Sequence, residues 1–270
     1  MTTIAGAHAV ITGGSSGIGL ATAHELARRG ARISLVARDP VRLTQAADEL
    51  RTGGAAPCVA SADVSDRVEL GAAVDRLVGE QGPCDILVTS AGVSGPGYFD
   101  SFDEHAFRHQ MEVNYFGTLH AVRAVVPSMI ARREGSIVGI SSTAGLLGVF
   151  GYAAYSASKF AVRGLFEALR SELKPHDVHV GCAFPPEVDT PMLAADEPLK
   201  PDETRAIVGS IKPLTAAQVA TAIARGIERE RSWIVCDVQT RLLAAVAGVA
   251  HGAVEAAVDG KARRASKAQR

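Results

Sequence analysis

The chain is poor in aromatic residues, which make up 5% of its 270 positions and include a single Trp. Its four cysteines, Cys58, Cys84, Cys182 and Cys236, are far apart and form no CxxC pair. That spacing excludes a disulfide scaffold and a cysteine zinc site, and it reads as reduced core thiols in a cytoplasmic protein. No apolar run reaches the roughly 18 residues of a membrane-spanning helix. The opening residues, MTTIAGAHAV, lack both a basic segment and a long apolar stretch, so no signal peptide is expected. An excess of one charge is also missing: 28 basic against 29 acidic side chains leave a formal net charge of -1, which argues against a general nucleic-acid partner. The balance is local, however. The last ten residues hold Lys261, Arg263, Arg264, Lys267 and Arg270 and no acid, so the remainder carries -6.

What is present is 47% hydrophobic residues arranged in a repeating order. Short β-rich runs are predicted as strands at residues 8–12, 32–37, 56–61, 85–89, 135–141, 179–183 and 233–236. Helical spacing is predicted over 18–29, 41–51, 67–81, a long region 102–133, then 152–173 and 216–229. Strand and helix alternate with no linker, no internal repeat and no change in composition. The expected fold is therefore α/β: one doubly wound parallel sheet flanked by helices, with right-handed crossovers. Residues 1–240 form that domain, and a proline-rich loop over 185–213 covers a pocket. Residues 241–260 form a C-terminal helix and 261–270 a basic, disordered tail. The Ala- and Val-rich stretch 242–258 has two readings, a helix packed on the domain or a partner subunit, and a weak membrane-surface helix helped by the tail.

The first strand–helix junction reads TGGSSGIG. Gly13 permits a tight turn off the strand, Gly17 lets backbone approach a pyrophosphate, and Gly19 lets the helix pack closely. Ser15, Ser16 and Ile18 complete this phosphate-binding turn, where helix N–H groups face the phosphates. Ala37 and then Arg38 follow the second strand, where an NAD reader would place an acid. Arg38 suits a 2′-phosphate by charge and planar geometry, with Ser15 as a second contact, so NADPH/NADP is expected over NAD. Asp39 is expected to point away or to start the next helix. Asp63, followed by Val64, has two readings: an acceptor for the adenine amino group, or a helix cap. Ala91 and Gly92 are small enough for the cofactor to approach the fourth strand's end.

Tyr155 and Lys159 are four apart and share a helix face. A tyrosine, with a reference pKa of about 10, is a poor proton donor or acceptor at neutral pH. A nearby ammonium, together with the positive ring of the bound cofactor, stabilises the phenolate and lowers that pKa. Ser142, at a strand end, is placed to hold and polarise a carbonyl oxygen. His105 and His109 also share a face but lack a third ligand, so no metal site is expected. GISST lacks the final glycine of a nucleophile elbow, which excludes an esterase. Phe99, Phe102, Leu146, Leu147, Phe150 and Tyr152 divide between core or interface and an apolar substrate slot.

TGGSSGIG, the SS of GISS, and YSASK together resemble the short-chain dehydrogenase/reductase family over about residues 8–240. The resemblance implies a single Rossmann-like domain and a catalytic tetrad of Asn114, Ser142, Tyr155 and Lys159. In that tetrad Asn114 supports a water linked to Lys159, and Lys159 also binds the nicotinamide ribose. It further implies that Pro185, Val188 and Thr190 hold the nicotinamide amide, and that the chain forms a homodimer or homotetramer through helices 106–133 and 152–173. TSAG stands where the family often has NNAG, and Pro185-Pro186 where it usually has PG. FPPEVDTPM and the segment KPDETR are similar to the branch of the family that reduces 3-ketosphinganine-like long-chain ketones. The implied activity is NADPH-dependent reduction of a lipophilic ketone by a cytoplasmic enzyme, peripheral to a membrane. Oxidoreduction of another alcohol/ketone pair, sterol or 3-oxoacyl in type, and a non-catalytic nucleotide-sensing scaffold are the alternatives.

Overall fold

Strands buried at successive positions, rather than at alternate ones, are covered on both faces. The computed structural model, which describes residues 2–209, 212–247, Lys261 and Arg264, is built around such strands. They are β1 (His8–Thr12), β2 (Arg32–Ala37), β3 (Cys58–Ser61), β4 (Ile86–Thr89), β5 (Gly135–Ile140), β6 (Val178–Phe184) and β9 (Trp233–Val235). All seven pair in parallel in the order β3-β2-β1-β4-β5-β6-β9. Between them run α1 (Gly17–Arg28), α2 (Pro40–Thr52), α3 (Arg67–Gln81), α4 (Glu104–Met111), α5 (Gly117–Arg132) and α6 (Ala153–Leu173). The C-terminal part adds a two-stranded β7 (Val188–Asp189) and β8 (Leu214–Thr215), with α7 (Pro191–Asp196), α8 (Asp202–Val208), α9 (Ala216–Glu228) and α10 (Val238–Ala247).

Two apolar layers hold this sheet. On one face Val74 and Leu77 of α3, Val122 and Met129 of α5, and Val162 and Phe166 of α6 pack on the strands. On the other, Leu26 of α1, Leu43 and Leu50 of α2, and Ile223 and Ile227 of α9 do so. Each such side chain contributes roughly 1.5–3 kcal/mol by leaving water. Gly139 sets the distance between β5 and α6, because a Cβ there would lie 2.4 Å from the Phe166 ring. That contact seats the helix carrying Tyr155 and Lys159 directly against the sheet. Strand order reverses between β1 and β4, which opens a crevice at the carboxyl ends of the strands.

The doubly wound parallel sheet is as predicted, and two local expectations are corrected. Residues 102–133 are not one helix. A 3₁₀ turn (Phe99–Ser101) precedes α4, and a π-helical turn (Glu112–Phe116) separates α4 from α5. A π turn leaves the apolar period almost intact, so spacing alone does not reveal it. The stretch 185–213 carries α7, α8 and β7, because Thr190 caps α7 through the Leu193 N–H. Where the C-terminal helix expected over 241–260 is described, α10 covers it and starts earlier, at Val238. Residues 248–260, and the tail apart from Lys261 and Arg264, lie outside the described residues. Among the described residues, no helix is long and apolar enough to cross a membrane.

Candidate active site

The carboxyl ends of the strands enclose a cleft of about 460 Å³, and the turn after β1 forms its floor. Gly13 has φ +65°, and a Cβ there would lie 2.6 Å from the Ala91 backbone nitrogen. Gly19 is tighter still, with a Cβ position 2.2 Å from the Gly13 carbonyl oxygen. Side chains are thus excluded where β1 passes into α1. Ser16 is the N-cap of α1 but makes no side-chain cap, and the first turn of α1 has no acid. The helix N-terminus therefore presents uncapped N–H groups and its positive dipole end to the cleft. A glycine floor and an uncapped helix start are what a dinucleotide pyrophosphate requires. Ser15, Gly17, Ile18, Ala91 and Gly92 line the same floor.

Arg38 lies at the outer mouth, 72% exposed along its side chain, with its guanidinium 3.6 Å from the Asp63 carboxylate. Asp39 caps α2, accepting from the Val41 and Arg42 N–H groups at 2.9 and 3.2 Å. Its carboxylate is thereby turned to the helix, as expected. Arg42, which the sequence did not single out, joins Arg38 at this mouth. Asp63 caps no helix. It accepts from Ser65 N–H and Oγ, while Asp66 caps α3. These bonds and Arg38 outweigh desolvation and hold the Asp63 carboxyl below its usual range. The cap alternative for Asp63 is therefore corrected, and both Asp63 and Val64 line the cleft.

Ser142, Tyr155 and Lys159 meet at the inner end. Lys159 is buried and donates from Nζ to the Ile140 carbonyl at 2.9 Å. Burial pulls its ammonium down to about 8. Its Nζ lies 5.5 Å from the Tyr155 ring centre. The Ser142 hydroxyl accepts from the Ala144 N–H at 3.1 Å and interacts with Tyr155. Burial pushes Tyr155 up to about 12, against the lowering effect of Ser142. Desolvation is the dominant influence on both groups. Tyr155 here is a neutral phenol, poised to donate rather than to accept.

Asn114 sits in the π turn, fully buried. Its side chain accepts from Val93 N–H at 2.8 Å and donates to the Val93 carbonyl at 2.9 Å. It also donates to Ser158 Oγ at 2.9 Å, and Ser158 donates in turn to the Tyr155 backbone carbonyl at 2.7 Å. Asn114 thus ties the loop after β4 to the first turns of α6. Pro185, Val188 and Thr190 line the cleft opposite.

Of the six apolar residues considered for a substrate slot, only Tyr152 lines the cleft. Leu146 belongs to the core, and Phe99 and Phe102 both pack edge-on against Phe107 at 5.9 Å. The Tyr152 hydroxyl donates to Asp196 Oδ2 at 3.3 Å, and Ser94 donates to the same oxygen at 2.7 Å. Burial raises both the Asp196 carboxyl and the Tyr152 phenol above their usual ranges. Sequence reasoning missed Asp196 and Ser94, which are 102 residues apart and share no motif. His105 and His109 stack with ring centres 6.0 Å apart on an exposed face, and no described group of three His, Cys, Asp or Glu could hold a metal.

Comparison with known proteins agrees with this geometry. A family model described as short chain dehydrogenase matches residues 7–200. The 3-ketodihydrosphingosine reductase of Bos taurus is 43% identical over 226 residues, covering 82% of this chain and 68% of that protein. The protein of that name from Dictyostelium discoideum is 38% identical over 257 residues, covering 88% and 77%. Among solved structures, a short chain dehydrogenase/reductase from Burkholderia phymatum in complex with NAD has TM-score 0.82 and 28% identity, covering 94% of this chain and 96% of that one. A variant actinorhodin polyketide ketoreductase with NADPH has TM-score 0.78 and 31% identity, covering 87% and 96%.

Proposed function

The chain belongs to the short chain dehydrogenase family, and from that premise we propose that it reduces a lipophilic long-chain 3-ketone with NADPH. The observation that carries this reading is the convergence of Ser142, Tyr155 and Lys159 at the inner end of the glycine-floored cleft. NADPH, when bound, supplies the hydride to the carbonyl carbon. Tyr155 gives its phenolic proton to the carbonyl oxygen, and Ser142 holds that oxygen in line. Lys159 carries the positive charge that makes proton loss from Tyr155 tolerable, and it binds the nicotinamide ribose. Asn114 fixes the helix start that bears Tyr155 and supports a water linked to Lys159. The uncapped N-terminus of α1 receives the pyrophosphate, with Gly13, Ser15, Ser16, Gly17, Ile18 and Gly19 around it. Asp63 and Val64 face the adenine, Ala91 and Gly92 the adenosine side, and Pro185, Val188 and Thr190 the nicotinamide amide.

The relatives' printed substrate, 3-ketodihydrosphingosine, is the first ketone to test. NADPH oxidation should be fastest with it in a panel that includes a steroid ketone and a 3-oxoacyl ester. Turnover of either competitor with a higher kcat/KM would overturn the substrate reading. The presence of Asn114, Ser142, Tyr155 and Lys159 together weighs against a non-catalytic nucleotide sensor. Homodimer or homotetramer formation through residues 106–133 and 152–173 belongs to the same reading, supported by the exposure of Phe116 in the π turn and Phe160 on α6.

The cofactor assignment rests on Arg38, supported by Arg42 and by the engagement of Asp39 in the α2 cap. Arg38→Asp should lower the NADPH-to-NADH ratio of kcat/KM by about 10- to 100-fold, the range for an exposed charge-assisted contact. Steady-state kinetics with both cofactors measures it, and an unchanged ratio would remove Arg38 from the 2′-phosphate site.

A further inference from the structure

The reaction as described uses Ser142, Tyr155 and Lys159 and leaves one charged group of the cleft idle. Asp196 is 7% exposed, at the end of α7. Its Oδ2 accepts from Ser94 and Tyr152, both neutral donors. Among the described residues, no Lys, Arg or His forms an ion pair with it. Lys200 acts on Asp196 only through space, its ammonium being held by Glu187 at 2.7 Å and Glu197 at 2.6 Å. A buried carboxylate with no cation in direct contact is costly, which favours a cationic ligand.

The distribution of charge along the cleft points the same way. At the outer mouth Arg38 and Arg42 are paired with Asp63 and Asp39 at 3.6 and 3.7 Å, and at the inner end Glu187 is paired with Lys200, whereas Asp196 has no such partner among the described residues. The Tyr152 ring lies 5.8 Å from the Tyr155 ring, so the carboxylate held by Tyr152 is a neighbour of the proton donor. A group bound by Asp196 must therefore sit close to the reacting carbonyl. An amine on the carbon next to that carbonyl meets this condition, and it is protonated at neutral pH.

We propose that Asp196, oriented by Ser94 and Tyr152, receives the ammonium group of a 2-amino-3-ketone and so selects amino ketones over plain ketones. The inference rests on the ketone-reductase reading above and adds to it a residue for the head group. The Oδ2 lone pairs are engaged by the two hydroxyls, which leaves Oδ1 for the incoming N–H⁺.

The test uses the full chain with NADPH and two 3-ketones of equal chain length, one with the 2-amino group and one with hydrogen in its place. The wild type should favour the amino ketone by about 10- to 100-fold in kcat/KM, as for a hydrogen bond to a charged group. Asp196→Asn keeps an acceptor oxygen for Ser94 and Tyr152 but removes the charge, and the ratio of the two kcat/KM values should fall close to one. Equal use of the two ketones by the wild type, or a ratio that survives in D196N, would overturn the inference and leave the ketone-reductase reading standing. Turnover of neither ketone would overturn both. A second measurement needs no variant: a long-chain primary amine should inhibit the wild type at least about tenfold more tightly than the matching alcohol, and equal inhibition would refute the ammonium site.

Discussion

Tyr155→Phe should lower kcat by about 10²- to 10⁴-fold while cofactor binding stays close to that of the wild type. That range is what a positioned proton donor contributes, and it corresponds to roughly 3–5 kcal/mol of barrier. The substitution is clean because phenylalanine fills the same space. The backbone carbonyl at this position would still accept from Ser158, and the phenyl ring would still pack edge-on against Tyr152, as the Tyr155 ring does at 5.8 Å. Only the hydroxyl is lost. With the phenol held at about 12 by burial, the wild-type donor is protonated across the whole neutral range. NADPH fluorescence titration would report binding, and absorbance decay with the ketone would report turnover. Near wild-type turnover with intact binding would show that another group, or water, supplies the proton.

The parts legible in the sequence share one property: their physical reason is local. Gly13 and Gly19 announce the β1–α1 turn because Gly13 adopts a φ of +65° and a side chain at Gly19 would collide with the Gly13 carbonyl within the turn itself. Tyr155 and Lys159 announce a common face because the helix repeats. Strand type follows from uninterrupted apolar runs, and the sheet order from right-handed crossovers. The illegible parts depend on long-range packing. Asp63 and Asp66 both precede α3 at plausible spacing, and only the Asx-type bonds from Asp63 to Ser65 show which one caps the helix. The π turn that buries Asn114 leaves no mark in the apolar spacing. Asp196 becomes a site residue only because the loop after β4, the start of α6 and α7 converge on it. The shifts of Tyr155 upward and Lys159 downward are hidden for the same reason, since desolvation belongs to the folded state alone.

That desolvation makes Lys159 a source of instability in the free protein. Its side chain is 5% exposed, and burial lowers its pKa from 10.5 to about 8. Below about pH 8 the folded chain must carry a buried ammonium, so the cost is fully present there. Between about pH 8 and 10.5 the unfolded chain holds a proton that the folded chain does not, so stability from this group rises with pH. The gap corresponds to roughly 3 kcal/mol at most, less about 1 kcal/mol for the bond from Nζ to the Ile140 carbonyl. Lys159→Met should therefore raise the unfolding free energy of the ligand-free protein at pH 7 by about 1–3 kcal/mol. It should also lower kcat/KM by about 100-fold or more, because Tyr155 loses its charge partner. Buried thiols act in the opposite direction: Cys84, Cys182 and Cys236 are pushed up to about 12 and lose their advantage as the pH climbs past their unfolded value. Comparing the two proteins cancels that common term. Urea unfolding at pH 7, 8 and 9.5 should show the variant's advantage shrinking as the pH rises, while the thiol-driven decline persists in both. A variant that is less stable at pH 7, or an advantage that does not change with pH, would mean that Lys159 is compensated in the folded state by something other than the Ile140 carbonyl.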